Sequence, residues 1–292
     1  MKELVIISGK GGTGKTSITA SLAVLADRPV IADCDVDAAD LHLVLSPTVK
    51  ERHRFYAGHE AVIRRQDCSG YGICCEYCRF EAVIKNSDFI FSIDPVACEG
   101  CGVCVRFCPQ GAIDFPERLC GEWMISDTRC GPMVHARLDV AAENSGKLVS
   151  TVRREARRIA EEGNHSLIIV DGPPGIGCPV IASLTGSTQV LAVTEPTPSG
   201  EHDLERLLLL THHFGIPTAV CVNKFDLNDE MAERIESAAV RMGAQIVGRI
   251  RYDPSVTRAQ MEARAVVEID APCVEDIQKI WKTLNSKERS QE

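Results

Sequence analysis

A glycine-rich loop near the start of the chain follows a short apolar segment. Leu4 to Ser8 is an apolar run that ends in glycines, which predicts a buried strand. The next residues read Gly9-Lys10-Gly11-Gly12-Thr13-Gly14-Lys15-Thr16, and Thr16 to Ala26 has the small and apolar residues of a helix. The backbone N–H groups of such a loop can surround phosphate oxygens, and the helix N-terminus adds a favourable dipole. The sequence therefore predicts a phosphate-binding loop, which restricts the fold to a small group of nucleotide-binding α/β proteins.

Two side chains of the loop have specific expected roles. Lys15 is expected to reach the β and γ phosphates, and the hydroxyl of Thr16 is expected to hold Mg²⁺. The predicted nucleotide-binding residues of this segment are Gly9, Gly11, Gly12, Thr13, Gly14, Lys15, Thr16 and Ser17.

Strands alternate with helices on both sides of a cysteine-rich segment. Apolar runs at 29–32, 167–170, 190–193 and 218–222 predict further buried strands, with helices near 152–162, 200–214, 229–242 and 274–284. This alternation predicts a doubly wound α/β domain with a mostly parallel sheet. The segment between has no long helix and is predicted to be an insertion. The expected divisions are 1–63 for the first part of the nucleotide domain, 64–117 for the insertion and 118–292 for the second part.

Composition narrows the functional class. The chain has 292 residues, a formal net charge of −9 and 14 cysteines. The negative charge argues against nucleic-acid binding, and no apolar stretch approaches the length of a membrane span. The N-terminus runs directly into the first strand without a signal peptide, so a cytoplasmic location is expected. Clustered cysteines in such a chain are read as metal ligands and not as disulfides.

One cysteine run has the spacing of a bacterial ferredoxin. Cys98-x2-Cys101-x2-Cys104-x3-Cys108 is followed by Pro109, which favours a [4Fe–4S] cluster. Zinc is the physical alternative, because four thiolates also suit that ion. Cys120 and Cys130, which follow the insertion, are expected to be ordinary thiols, and the alternative is a role near the clusters or in a redox pair.

An upstream copy of this run makes the insertion resemble a two-cluster ferredoxin domain of α+β type. The copy contains Cys68, Tyr71, Cys74, Cys75 and Cys78. In two-cluster ferredoxins the fourth cysteine of each run binds the other cluster. The resemblance therefore implies that Cys78, Cys98, Cys101 and Cys104 bind the first cluster, and that Cys68, Cys74 and Cys108 bind the second.

Tyr71 departs from this pattern, because a two-cluster ferredoxin has cysteine there. Three outcomes stay open for the second site. It holds a [3Fe–4S] cluster on three cysteines, or Cys75 supplies a fourth ligand to a [4Fe–4S] cluster, or it binds no cluster.

The loop itself resembles the deviant Walker A motif of the MinD/ParA/Mrp/nitrogenase-iron-protein ATPases. In that family the early lysine, here Lys10, reaches the partner's phosphates across an ATP-dependent dimer. Asp33-Cys34-Asp35 resembles the family's switch I, which implies that Asp35 orients the attacking water and that Asp33 lies near Mg²⁺. Asp171-Gly-Pro-Pro-Gly175 resembles Walker B joined to switch II. It implies that Asp171 holds a metal-bound water and that the N–H of Gly175 is free for the γ phosphate.

Two segments resemble the loops that contact the base. Asn223 and Lys224 end a strand where the family has its base-reading asparagine, and Tyr252-Asp253-Pro254 resembles the second base-side loop. Asn223-Lys224-Phe225-Asp226 also satisfies the guanine-reading pattern of GTPases. The deviant loop favours ATP over GTP.

Nearly the whole chain resembles MinD-like ATPases that carry an inserted ferredoxin domain. The resemblance implies an ATPase that is slow without a partner, with Lys10, Lys15 and Asp35 as catalytic residues. It also implies an ATP-dependent homodimer, or a heterodimer with a paralogous ATPase, coupled to the clusters and to an unknown protein or redox partner. The alternatives are an Mrp-like iron–sulfur carrier or scaffold, and a positioning ATPase with structural clusters. Neither membrane nor nucleic-acid binding is expected.

Overall fold

The computed structural model describes residues 1–86, 90–139 and 144–286. The chain divides into two compact units. The first contains Met1–His53, Glu122–Arg137 and the residues from Ser145 onward, and the second contains Arg54–Gly121 and Leu138–Asn144. The second unit includes the predicted insertion 64–117 and is wider at both ends. It also includes the described residues Leu138, Asp139 and Asn144.

A large sheet forms the centre of the first unit. Across the described ranges it has nine strands in the order β13-β12-β11-β1-β10-β2-β9-β8-β3. Their bounds are β1 Lys2–Ser8, β2 Val30–Asp33, β3 Thr48–His59, β8 Glu117–Asp127, β9 Pro132–Leu138, β10 Leu167–Pro174, β11 Gln189–Thr194, β12 Thr218–Asn223 and β13 Gln245–Ile250. The pairs that join β13 through β9 are all parallel. The predicted α/β fold with a mostly parallel sheet is therefore confirmed.

Helices cover the sheet because its strands are apolar on both faces. The helices of this unit are α1 Lys15–Leu25, α2 Leu41–Leu45, α5 Ser145–Glu162, α6 Cys178–Leu184, α7 Pro198–His213, α8 Asp229–Arg241, α9 Ser255–Met261 and α10 Cys273–Asn285. Leu4 and Ile6 of β1 share one core with α1, α2 and α10. Successive side chains of a strand point to opposite faces, so Val5 and Ile7 face the other layer. Helices α5 to α8 contact the strands without joining that core.

The order of the sheet brings the functional segments together. Strand β10 lies between β1 and β2, although it is far from both in the sequence. Asp171 of β10 is in register with Asp33 of β2. The carboxyl ends of parallel strands share one edge of the sheet, where α/β proteins bind their ligands. The phosphate loop after β1 therefore lies beside both aspartates.

The second unit repeats one short pattern. Helices α3 (Ile73–Tyr77) and α4 (Val103–Phe107) each end immediately before a cysteine, and they pack against each other. Strand β4 (Val62–Ile63) pairs antiparallel with β7 (Ile113–Asp114), and β5 (Val83–Lys85) pairs antiparallel with β6 (Phe91–Ile93). The two cysteine runs thus occupy equivalent positions.

Candidate functional site

A cavity of about 430 Å³ lies over the phosphate loop, within the size range of small-ligand sites. Loop residues 11–17 line one side. Asp35, Asn223, Lys224, Tyr252 and Asp253 of the predicted site also line it, together with Ser8, Asp40, Pro174, Arg251 and Gln260. Five segments that are distant in the sequence therefore line one cavity. Gly9, Lys10, Asp33, Asp171, Gly175 and Pro254, also predicted for the site, are not among its lining residues.

Lys15 lies between two of the predicted carboxylates. Its Nζ is 3.0 Å from Oδ1 of Asp171 and 3.3 Å from Oδ2 of Asp35. Asp171 also accepts hydrogen bonds from Thr16 at 2.8 Å and from Thr19 at 2.9 Å. Thr19 follows Lys15 by one helical turn, so α1 presents both side chains to Asp171. The predicted lysine, hydroxyl and aspartates form one buried network.

The network sets the charge of its members. Burial lowers the pKa of Lys15, but the carboxylates of Asp171 and Asp35 raise it by more, so the ammonium is retained. Burial is also the main reason that the pKa of Asp35 is raised, against the opposing effect of Lys15. Burial, and then the charge of Asp171, raise the pKa of Asp33 well above its ordinary value. The ionised forms of Asp33 and Asp35 are therefore disfavoured unless a cation lies close to them.

The residues around Asp33 fit a magnesium ion. Asp33 is fully buried, and its Oδ2 has no hydrogen-bond partner. In the part of the chain that the structure describes, no group of three or more His, Cys, Asp or Glu side chains could hold a metal ion alone. Mg²⁺ is usually bound by one or two carboxylates together with phosphate oxygens and water, so it does not require such a group. Thr16, Asp33 and Asp171 supply the kinds of oxygen that this ion prefers.

One predicted role does not agree with the geometry. The N–H of Gly175 was expected to be free for a phosphate. In the structure it donates to the carbonyl oxygen of Ser8 at 2.9 Å. The cause is the position of β10 beside β1, because the end of β10 continues the hydrogen bonding of that pair. The expectation of a free N–H at Gly175 is therefore wrong for this conformation.

The base-side residues are tied to the phosphate loop. Asn223 donates from Nδ2 to the carbonyl oxygen of Thr13 at 2.8 Å. Lys224 donates to the carbonyl oxygen of Gly12 at 3.3 Å and lies 2.5 Å from a carboxylate oxygen of Glu195. The end of β12 thus holds the loop from the side where a base is expected.

Lys10 contacts a segment of its own chain. Its Nζ lies 3.3 Å from Oγ1 of Thr197, 3.2 Å from Oγ of Ser199 and 3.5 Å from Oε2 of Glu195. Glu195 and Thr197 lie between β11 and α7, and Ser199 lies in the first turn of α7. The sequence analysis assigned no contact to this segment.

Gln260 is a second residue that sequence reasoning missed. Its side chain donates to Oγ of Ser17 at 2.8 Å and lines the cavity. Gln260 lies in α9, directly after the Tyr252-Asp253-Pro254 segment. That proximity is the only sequence signal that could have found it.

The cysteines of the second unit separate into two cavities. One is lined by Cys78, Cys98, Cys101 and Cys104. The other is lined by Cys68, Cys74 and Cys108, with Tyr71 at its edge. This is the grouping that the ferredoxin resemblance implied, with the last cysteine of each run in the opposite cavity. Thiols are the ligands that iron–sulfur clusters use, but among the described residues no group of three or more such side chains is arranged to hold a metal ion.

Cys75 does not line either cavity. Its side chain is exposed, and its thiol donates to the carbonyl oxygen of Val83 at 3.5 Å. Tyr71 is 64% exposed although it lines the second cavity. Of the three outcomes predicted for the second site, the one that uses Cys75 as a ligand is the least compatible with this arrangement.

The two halves meet through an aromatic pair. The rings of Tyr77 and Phe107 are stacked with their centroids 5.0 Å apart and their planes 10° apart. Tyr77 immediately precedes Cys78, and Phe107 immediately precedes Cys108. These two cysteines are the last of their runs, and each lines the cavity of the other run. The stacked rings therefore pack the end of α3 against the end of α4, where the chain continues into Cys78 and Cys108.

Outside these sites, Cys120 is buried and Cys130 is partly buried, and neither lines a cysteine cavity. Among the described residues no helix has the length and apolar character needed to cross a membrane.

Comparison with known proteins finds similarity over most of the chain. The family described as "CobQ/CobB/MinD/ParA nucleotide binding domain" matches residues 4–266. The uncharacterized protein MJ0578 of Methanocaldococcus jannaschii is 34% identical over 232 residues, which are 78% of this chain and 79% of the relative.

One solved structure and one partial relative add detail. The septum site-determining protein MinD of Pyrococcus horikoshii, solved with Mg-ADP, superposes with a TM-score of 0.60 at 17% identity. The superposition covers 100% of this chain and 98% of MinD. The Na⁺-translocating ferredoxin:NAD⁺ oxidoreductase complex of Acetobacterium woodii has a component that is 41% identical over 46 residues, 16% of this chain and 14% of that component.

Proposed function

Because this chain belongs to the CobQ/CobB/MinD/ParA nucleotide-binding family, we propose that it binds and hydrolyses ATP with Mg²⁺. The observation that carries the proposal is the position of Lys15 between Asp35 and Asp171 beside the 430 Å³ cavity. The Mg-ADP bound by the structurally similar MinD of P. horikoshii supports the choice of ligand.

The residues have distinct roles in this proposal. Lys15 binds the β and γ phosphates, and the loop N–H groups surround their oxygens. Asp35 orients the attacking water, while Thr16, Asp33 and Asp171 are the residues that would hold Mg²⁺. That ion neutralises phosphate charge when it is bound. Phosphoryl transfer depends on positioning and electrostatics, so hydrolysis is slow until a partner completes the site.

The test of the ATPase is a single substitution with a matched control. Lys15→Ala removes the buried ammonium group and should abolish phosphate release from ATP. Lys50→Ala removes an exposed ammonium group that pairs with Asp127, and should hydrolyse ATP at the wild-type rate. Hydrolysis by Lys15→Ala at the wild-type rate would overturn the assignment of the site.

We further propose that ATP assembles a dimer in which Lys10 of each protomer contacts the partner's nucleotide. Lys10 is 32% exposed and lies at the start of the phosphate loop, where it can reach another chain. Light scattering on Asp35→Ala, which should bind ATP without hydrolysing it, should show an ATP-dependent doubling of mass. The same variant with Lys10→Ala should stay monomeric.

A second proposed activity is redox-linked: the cysteine unit binds iron–sulfur clusters whose state modulates or reads the dimer. The separation of seven cysteines into sets of four and three supports cluster binding. The partial similarity to a component of a ferredoxin:NAD⁺ oxidoreductase complex supports the same chemistry. Anaerobically purified protein should contain iron and sulfide, and its cluster spectrum should change when ATP is added.

Two alternatives predict different results in that experiment. An iron–sulfur carrier should transfer its iron to an apo-acceptor protein, whereas clusters with a redox role should stay bound through reduction and reoxidation. A positioning ATPase with structural clusters should show no spectral change on ATP binding.

A further inference from the structure

Glu195 is placed between two lysines that belong to different parts of the nucleotide site. Its Oε2 is 3.5 Å from Nζ of Lys10, and its Oε1 is 2.5 Å from Nζ of Lys224. The Glu195 side chain is 15% exposed, so solvent screens these contacts only in part. One carboxylate therefore balances two ammonium groups.

The segment that carries Glu195 is fixed in place. Thr197 caps α7 by accepting a hydrogen bond from the N–H of Gly200. A β carbon at position 200 would overlap the carbonyl oxygen of Glu195, so glycine allows the segment to turn back on the helix. A β carbon at Gly9 would likewise overlap Asp203 of α7. The start of the phosphate loop and the acceptors of Lys10 are thus packed against the same helix.

The arrangement gives Lys10 a complete set of acceptors within its own chain. A lysine ammonium has three N–H donors, and Glu195, Thr197 and Ser199 supply three oxygens within 3.5 Å. An ammonium group held in this way must break these contacts before it can reach a second chain.

We propose that Glu195 is a positioning residue that holds Lys10 in its own protomer and so competes with the partner's nucleotide for that lysine. The inference rests on the proposed ATP-dependent dimer. It identifies Glu195 as the residue that limits formation of that dimer. Neutralising Glu195 removes the shared carboxylate and leaves Lys10 and Lys224 without a counter-charge. Lys10 is then released, and dimerisation becomes more favourable.

The test measures self-association at saturating Mg²⁺ and a non-hydrolysable ATP analogue. Glu195→Gln should lower the protein concentration at half-dimerisation by about 2- to 30-fold, since each of two protomers loses one partly exposed ion pair. Glu201→Gln is the matched control. Glu201 lies in the first turn of α7 and pairs with Arg234 at 2.8 Å, so its loss should leave dimerisation unchanged.

A double substitution separates this role from a general effect on folding. Because Lys10→Ala is itself expected to stay monomeric, the comparison uses Lys224, the other lysine that Glu195 contacts. In a Lys224→Ala background the effect should persist. Glu195→Asp, which keeps the charge, should behave more like the wild type than Glu195→Gln does.

A second measurement does not need the dimer. An amine-reactive label, quantified by mass spectrometry on the monomer, should modify Lys10 faster in Glu195→Gln than in the wild type, and at an unchanged rate in Glu201→Gln. Faster labelling in a protein that never dimerises would mean that the contact exists but the proposed dimer does not. A wild type that dimerises, with no change in either measurement on Glu195→Gln, would overturn the inference about Glu195 alone.

Discussion

The carboxylate of Asp226 accepts a hydrogen bond from the backbone N–H of Tyr252, with 2.6 Å between Oδ1 and N. Asp226 is the last residue of the tetrad that also satisfies the guanine-reading pattern. In such a pattern the carboxylate must accept hydrogen bonds from the base. Here one of its oxygens is already used by the loop after β13.

We therefore expect the site to prefer ATP to GTP by at least about tenfold, the equivalent of one neutral hydrogen bond. Competition against a fluorescent ATP analogue measures the preference. Asp226→Asn should weaken ATP binding little, because the amide oxygen can still accept from Tyr252. Equal displacement by GTP and ATP, with a selective loss of GTP affinity in Asp226→Asn, would show that Asp226 reads guanine.

Tyr71→Cys tests the second cysteine cavity. Three thiols suffice for a [3Fe–4S] cluster, so the wild type should contain about seven irons per chain and show the paramagnetic signal of an oxidised three-iron centre. The substitution supplies the missing ligand and should replace that signal with a [4Fe–4S] cluster. Cys75→Ser should leave the iron content unchanged.

Two other results would contradict this expectation. About eight irons in the wild type, with loss of iron in Cys75→Ser, would make Cys75 a ligand. About four irons, with no effect of Cys68→Ser, would mean that the upstream cavity binds no cluster.

Gly100 and Gly111 of the second unit have similar backbone conformations but differ in the space available for a β carbon. Both have positive φ angles, 61° and 59°. A β carbon at Gly100 would overlap the carbonyl oxygen of His59, whereas no atom lies within 4 Å of one at Gly111. Gly111→Ala should cost about 1–2 kcal/mol through its backbone conformation. Gly100→Ala should cost more, because backbone must move as well.

Hydrogen exchange of peptides from 54–121 measures the difference directly. Gly100→Ala should lose protection in this region, and Gly111→Ala should lose much less. Equal losses would mean that the overlap at His59 is relieved without cost.

His135 should make stability depend on pH. Burial is the main reason that its pKa is lowered from 6.5 to about 4, and its Nε2 is 2.8 Å from Oγ of Ser126. The unfolded chain takes up a proton below about pH 6.5, while the folded chain excludes it until about pH 4. The histidine therefore has no effect on stability above about pH 6.5, and stability is lost progressively as the pH falls from there towards 4.

Urea unfolding between pH 7 and pH 4 checks this effect. His135→Gln should flatten the dependence, while His202→Gln, at an exposed position, should keep the wild-type slope. A wild-type slope in His135→Gln would assign the loss of stability to other groups.

The sequence predicted best those sites whose functional residues lie close together along the chain. The phosphate loop and the cysteine runs need fixed residue types at short spacing, so they can be recognised without knowing the fold. The parallel sheet also followed from its buried apolar strands. Strand β3 could not be predicted, because its residues are mostly exposed and show neither apolar alternation nor a turn signal.

Contacts between distant segments were harder to predict. The N–H of Gly175 is used because β10 lies beside β1, which depends on strand order. Glu195 meets Lys10 only because the end of β11 lies beside the phosphate loop. Neither the contact of Gly175 with Ser8 nor that of Glu195 with Lys10 can be predicted from charge or from spacing along the chain.

The exchange of cysteines between the two cavities has a consequence for the order of synthesis and maturation. The cavity with Cys78 also needs Cys98, Cys101 and Cys104, and the cavity with Cys68 and Cys74 also needs Cys108. A nascent chain that ends before residue 104 therefore presents no complete cavity of either kind. Assembly of the proposed clusters would therefore have to wait until both cysteine runs have left the ribosome and α3 has packed against α4. Neither half of the unit could then acquire its cluster without the other half.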